Sequence, residues 1–170
     1  MGGGTLRDVM LNRDGFWVAD PVMLAVASIV AILVFLTAHL LESRYRALLW
    51  IDAFALAAAV PAGVAVALDN GQGWPIVLVM GMITGCIGGL MRDVVCNEVP
   101  LVLKQGELYV TCAFAGALSA VLAGVAGLET GIALILCAAA VLTLRAGSLA
   151  LGWRLPVYRS TPPKPGAPKR

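Results

Sequence analysis

Stretch after stretch of about twenty residues in this chain carries almost no charge, and the run from Leu108 to Leu128 carries none. A bilayer core is about 30 Å thick, so a helix needs roughly 20 mostly apolar residues to cross it. Pro21 to Leu41, Leu48 to Leu68, Pro75 to Met91, Leu108 to Leu128 and Thr130 to Gly152 all qualify. One such run can be a buried helix of a soluble protein. Five in succession predict an all-α, polytopic membrane helix bundle whose first partner is the lipid bilayer. Composition agrees: 60% of the 170 residues are hydrophobic and 13% are charged. A soluble domain is roughly half apolar and a quarter charged. So few charges cannot cover so much apolar surface in water. This excludes an ordinary soluble enzyme, a nucleic-acid binder and a disordered chain.

The charges cluster between the runs. Glu42, Arg44 and Arg46 close the first span, and Asp69-Asn70-Gly71 closes the second. Pro75 opens the third, at a favoured first helical position. With alternate crossings, one side receives Arg44, Arg46, Lys104, Arg145, Arg154, Arg159, Lys164, Lys169 and Arg170, and the other only Arg7 and Arg13. Basic loops stay in the cytoplasm. The expectation is a multi-pass membrane protein with a cytoplasmic C-terminus and an N-terminus outside. Residues 157–170 hold four prolines and several basic residues, and read as a disordered basic cytoplasmic tail.

No catalytic site emerges. Cys86, Cys96, Cys112 and Cys137 fall in or beside apolar runs, without CxxC pairing or histidine at zinc spacing. They read as small buried hydrophobes. His39 is the one histidine and reads as interfacial. No nucleophile–base pair, metal cluster or cofactor motif is present, so an enzyme is the least favoured class.

Small residues recur at helical packing intervals: Gly81, Gly85 and Gly89 in the third span, and Gly116, Ala120 and Gly124 in the fourth. Such stripes let helices approach closely in lipid. Gly81, Gly116, Ala120 and Gly124 are taken as packing positions.

An internal repeat narrows the reading. Gly3-Gly4-Thr5-Leu6-Arg7-Asp8-Val9 and Gly88-Gly89-Leu90-Met91-Arg92-Asp93-Val94 share the frame G-G-x-x-R-D-V, 85 positions apart. Two spans lie between the copies, so the copies are expected to run antiparallel. Inverted repeats with glycine-broken helices are characteristic of transport folds. The broken ends offer backbone dipoles to a permeant species. Arg7, Asp8, Arg92 and Asp93 are costly inside a membrane and must face protein, water or headgroups. They either stop the helix at the interface or line and brace a polar pathway, and their occurring twice favours the second. Asp52, one turn into the second span, is either an interfacial helix start or a polar contact for the broken helices. Pro61 lies mid-span, should free the Ala57 carbonyl, and is expected to bend that helix.

Several segments together, GGGTLRDVML at the start, IDAFAL from Ile51, TGCIGGLMRDVVCNEVPLVL from Thr84, ELYVTCAFAGAL from Glu107 and Trp153-Arg154-Leu155-Pro156, resemble the prokaryotic trimeric intracellular cation (TRIC) channel family. This group is also called the UPF0126 or glycine-transporter-domain family. The resemblance covers nearly the whole chain up to Pro156. It implies two inverted three-helix repeats, a seventh helix, a homotrimer and one pore per protomer. Gly3, Gly4, Gly88 and Gly89 would be the kink positions, with Gly85 on the same wall, and Arg7, Asp8, Arg92 and Asp93 the polar followers. It also implies that this chain begins inside the second helix, with the first helix and most of the second absent. Residues 1–18 then end the first repeat's broken helix, 19–46 form its last helix, 47–128 the second repeat, and 129–156 the final helix. Two details differ from the family. Gly63-Val64-Ala65-Val66-Ala67 stands where relatives often carry Gly-Thr-Gln-Lys-Ala, and the first repeat has no proline near Asp14-Gly15.

Three functions follow as expectations. The first is a channel for a permeant monovalent cation, with potassium implied by the resemblance, in which backbone carbonyls and the polar followers replace part of the hydration shell. The second is a secondary transporter of a small amino acid such as glycine. The third is a non-conducting subunit that joins other protomers through its glycine stripes.

Overall fold

The structure is a computed structural model that describes residues 2–41, 45–104 and 108–154. The tail 157–170, Pro156, the span-closing Glu42 and Arg44, and the side chain of His39 lie outside the described residues.

Every described element is helical. In chain order they are α1 (Gly2–Met10), α2 (Phe16–Ala19), α3 (Pro21–Leu41), α4 (Tyr45–Asp69) and α5 (Trp74–Val95), a short 3-10 turn at Leu101–Leu103, then α6 (Tyr109–Val125) and α7 (Thr130–Leu151). The five apolar runs of the sequence are α3 to α7. Within α4, α5 and α7, stretches of 22 to 24 residues are long and apolar enough to cross a membrane. α6 has 17 residues, the lower limit for a span.

α4 to α7 form the bundle, and α1 lies against α5. The periodicity explains the packing. α4 buries Ala53, Leu56, Ala57, Val60, Val64 and Ala67 along one face. α6 contributes Cys112, Ala113, Ala117 and Ala120, and α7 contributes Ala133, Cys137 and Val141. These are stripes at helical spacing, and the side chains on them are small. α3 is different. From Pro21 to Thr37 all its side chains except Ala27 are exposed, and they are almost entirely apolar. Phe35 is 81% exposed. Such a helix requires lipid or another apolar protein surface around it.

α5 is helical throughout, across Gly85, Gly88 and Gly89, and α4 is helical through Pro61. What the glycines visibly do is admit neighbours. A Cβ on Gly3 would collide with the Thr84 carbonyl oxygen and stand 3.0 Å from the Gly88 nitrogen. A Cβ on Gly116 would collide with Val141. Both are close approaches that a side chain would prevent.

Two expectations about charges and stripes change. Arg145, counted above with the loop charges, has no exposed surface. Arg7, placed on the opposite loop side, is 5% exposed. Neither is a loop cation, although the excess of basic residues on one side survives their removal. The glycine stripe of α6, offered as a means of joining protomers, is used inside the chain. Gly116 faces Cys137 and Val141 of α7, and Gly124 faces the Trp74 ring at the start of α5.

Candidate functional site

The two copies of G-G-x-x-R-D-V have the same local structure. In the first, the Arg7 Nε and a terminal guanidinium nitrogen donate to Asp8 Oδ1 at 2.8 and 2.6 Å. The Phe16 amide donates to Asp8 Oδ2 at 2.9 Å. In the second, the Arg92 Nε donates to Asp93 Oδ1 at 2.8 Å, and the Leu101 amide to Asp93 Oδ2 at 2.9 Å. Each aspartate thus ties off a helix end and caps the short turn eight residues on. The intervening loops match as well. Asn12 and Asn97 take left-handed φ values of 53° and 55°, a conformation asparagine tolerates better than most residues. Gly15 and Pro100, which precede the two short turns, share φ −56° and ψ 133°. The seven-residue repeat of the sequence is therefore a structural repeat down to single hydrogen bonds.

The copies touch at equivalent positions. Gly3 meets Gly88, its counterpart 85 residues on. Contact between equivalent residues is what a two-fold relation produces at its axis.

Around that contact lies a cavity of about 490 Å³. One wall is backbone: Gly3 and Gly4 of α1, and Gly85, Gly88 and Gly89 of α5. Arg7, Asp52, Thr84, Arg92 and Tyr109 add polar groups. Gly4 faces the Phe16 ring, Gly85 faces Val60 and Leu56 of α4, and Gly89 faces the Tyr109 hydroxyl. Asp8 and Asp93 stand just outside the lining, holding the arginines. The packing positions stand apart from it: Gly81 faces Val64 and Ala117, and Ala120 is buried in the core.

The two arginines differ. Arg7 is buried and pairs with Asp8. Arg92 has a side chain 40% exposed and pairs twice, with Asp93 at 2.8 Å and with Asp52 on α4 at 2.9 Å. Asp52 is therefore no interfacial helix start. It is 6% exposed and linked to the motif of α5. A buried carboxylate requires such a partner.

Two residues of the site, Thr84 and Tyr109, and the buried neighbour Arg145 were missed from sequence. Arg145 lies on α7 with its guanidinium carbon 5.1 Å from the centroid of the Tyr109 ring, a cation–π geometry. Its signal was available, since Ala133, Cys137, Val141 and Arg145 are spaced four apart and share the buried face. Thr84 sits four residues before Gly88, and its hydroxyl donates to the Met80 carbonyl at 2.7 Å. Tyr109 gave no signal beyond being an aromatic at the start of a span.

Comparison with known proteins bears on this site. The family model described as glycine transporter matches residues 1–39 and 49–125. The chain is 35% identical over 166 residues to a UPF0126 membrane protein of Vibrio cholerae, covering 95% of this chain and 68% of that one. It is 39% identical over 121 residues to the UPF0126 inner membrane protein YadS of Escherichia coli, covering 68% of this chain and 56% of the relative. Among solved structures, the TRIC trimeric intracellular cation channel orthologue of Rhodobacter sphaeroides superposes with a TM-score of 0.84 at 39% identity, covering 89% of this chain and 78% of that one. A structure described as showing conductance through TRIC cation channels gives a TM-score of 0.82 at 27% identity, over 94% and 79% of the two chains. These relatives are membrane proteins and channels, not enzymes. The repeated glycine–arginine–aspartate motif, the helix bundle around it and these matches have one reading: the chain belongs to the TRIC/UPF0126 family of multi-pass membrane proteins, whose shared domain is described as a glycine transporter.

Proposed function

We propose that the chain forms a cation-conducting pathway, with potassium as the permeant ion, through the cavity between α1, α4 and α5. The observation that carries this reading is the glycine wall contributed by both copies of the motif, with polar groups set into it. Backbone without side chains offers carbonyl dipoles and space to a partly dehydrated ion. Asp52 adds negative charge at one depth, and Arg7, Asp8, Arg92 and Asp93 brace the helix ends around it. Similarity to TRIC channel structures supports both the ion class and a homotrimer, which we read as carrying one pathway per protomer. The chain is read as residues 1–18 and 19–46 from a first repeat, 47–128 as the second repeat and 129–156 as the final helix, with the C-terminus in the cytoplasm.

The test is potassium flux into proteoliposomes containing this chain, with the longer Escherichia coli relative in parallel. Voltage-driven, unsaturated potassium flux from this chain supports the pathway. Saturable glycine uptake without ion current would favour the carrier that the domain description suggests. Flux from the relative alone would make this chain a non-conducting subunit.

A further inference from the structure

We infer that the free oxygen of Asp52 is a binding site for one monovalent cation in the wall of the glycine-lined cavity. The Asp52 side chain is 5% exposed, and its Oδ1 accepts from Arg92 at 2.9 Å. Its Oδ2 is buried and has no hydrogen-bond partner among the described residues. Leaving a buried carboxylate oxygen unsatisfied is costly. Asp52 lines the cavity, so the space in front of it is where a partner fits.

Charge and ligand number select the class of partner. Asp52, Asp93 and Arg92 form one connected set, with two carboxylates against one guanidinium. Its net charge of −1 is neutralised by a single positive charge. Both Asp93 oxygens are occupied, one by Arg92 and the other by the Leu101 amide. One free carboxylate oxygen is too little for a calcium-type site, which gathers six to eight oxygens with several carboxylates, and magnesium keeps its waters and a near-ideal octahedron. A monovalent cation accepts one charged oxygen supplemented by neutral ones. Ala55 and Ala59 on α4 leave room in the cavity for water. Arg92 is a positioning residue: by holding Oδ1 it presents Oδ2. Arg145, 5.1 Å from the centroid of the Tyr109 ring, is absent from the cavity lining. The occupancy of this site is independent of transport, while its place on a transport route rests on the pathway reading above.

The experiment is thermal unfolding of the purified full chain in detergent, titrated with potassium chloride against choline chloride at constant ionic strength. The wild type is expected to show a saturable, potassium-specific rise in unfolding temperature that magnesium does not reproduce. Asp52→Asn keeps the size of the side chain and an acceptor for Arg92, and should weaken the apparent potassium affinity at least tenfold. Equal potassium response in Asp52→Asn, or equal stabilisation by choline, overturns the site. Should that variant fail to fold, wild-type crystals soaked in rubidium decide. An anomalous peak beside Asp52 supports the site, and its absence overturns it. Flux without an Asp52-dependent site removes this inference and leaves the pathway. An Asp52-dependent site without flux does the reverse.

Discussion

Asp8 and Asp93 are 85 positions apart and do the same work: each accepts its neighbouring arginine on Oδ1 and the amide eight residues onward on Oδ2, at 2.9 Å in both cases. A sequence match of a few residues could have arisen in a glycine-rich chain by composition. Agreement in side-chain bonding, in the left-handed asparagine and in the entry to the following turn could not. Asp8→Ala should cost about 2 to 4 kcal/mol, since it strands the buried Arg7 and an amide. Asp93→Ala should cost less, because Arg92 is part-exposed and keeps Asp52 as a partner, so that mainly the Leu101 amide is stranded. Unfolding midpoints in detergent that are lowered for both variants, and further for Asp8→Ala, would match; a silent variant at either position would break the equivalence.

Gly3 and Gly88 are equivalent but not equally crowded. A Cβ on Gly3 would strike the Thr84 carbonyl, whereas a Cβ on Gly88 would sit at an ordinary 3.9 Å from Gly3. Gly3→Ala should therefore destabilise by about 1 to 3 kcal/mol, the usual cost of overpacking. Gly88→Ala should cost clearly less. Reversal of that order in thermal melts would contradict the packing of α1 on α5.

Arg92→Leu should damage folding or flux far more than Arg154→Leu. Arg92 joins α5 to α4 through Asp52 and holds Asp93, while Arg154 is exposed beyond the end of α7. Comparable losses in a proteoliposome assay would remove the special standing of Arg92.

Sequence alone gave the bundle and the motif, because both depend on local pattern. Runs without charge mark spans, and five identities at one spacing mark a repeat. It did not give the partners. Whether Asp52 opened a helix at the interface or reached into the bundle depended on where Arg92, forty residues away, would lie. Gly116 was legible as a packing residue, but not that its neighbour is α7 of the same chain. Arg145 was misplaced because a single arginine near the end of an apolar run resembles a boundary charge. Only the four-residue spacing to Val141 and Cys137 separates the two cases.

Cysteine reactivity tests burial and orientation together. Cys96 is exposed, while Cys86, Cys112 and Cys137 are buried. A membrane-permeant maleimide should label Cys96 alone in the folded protein. With the C-terminus in the cytoplasm, Cys96 follows an inward-running α5, so an impermeant maleimide should label it only after cells are opened. Labelling of intact spheroplasts would invert the topology.

Tyr109→Phe keeps the ring face under Arg145 and should change stability by less than about 1 kcal/mol, whereas Tyr109→Ala should cost about 3 to 5 kcal/mol. Equal melting temperatures for the two variants would show that the ring does not support Arg145.

The buried Arg145 also bears on how the protein is made. An arginine at the centre of an inserting helix costs about 2.5 to 3.5 kcal/mol on translocon scales, and less toward the end, where Arg145 lies. α7 is synthesised after α6, so Tyr109 emerges from the ribosome before Arg145. The order of the helices along the chain thus places the ring that receives this buried cation ahead of it in synthesis.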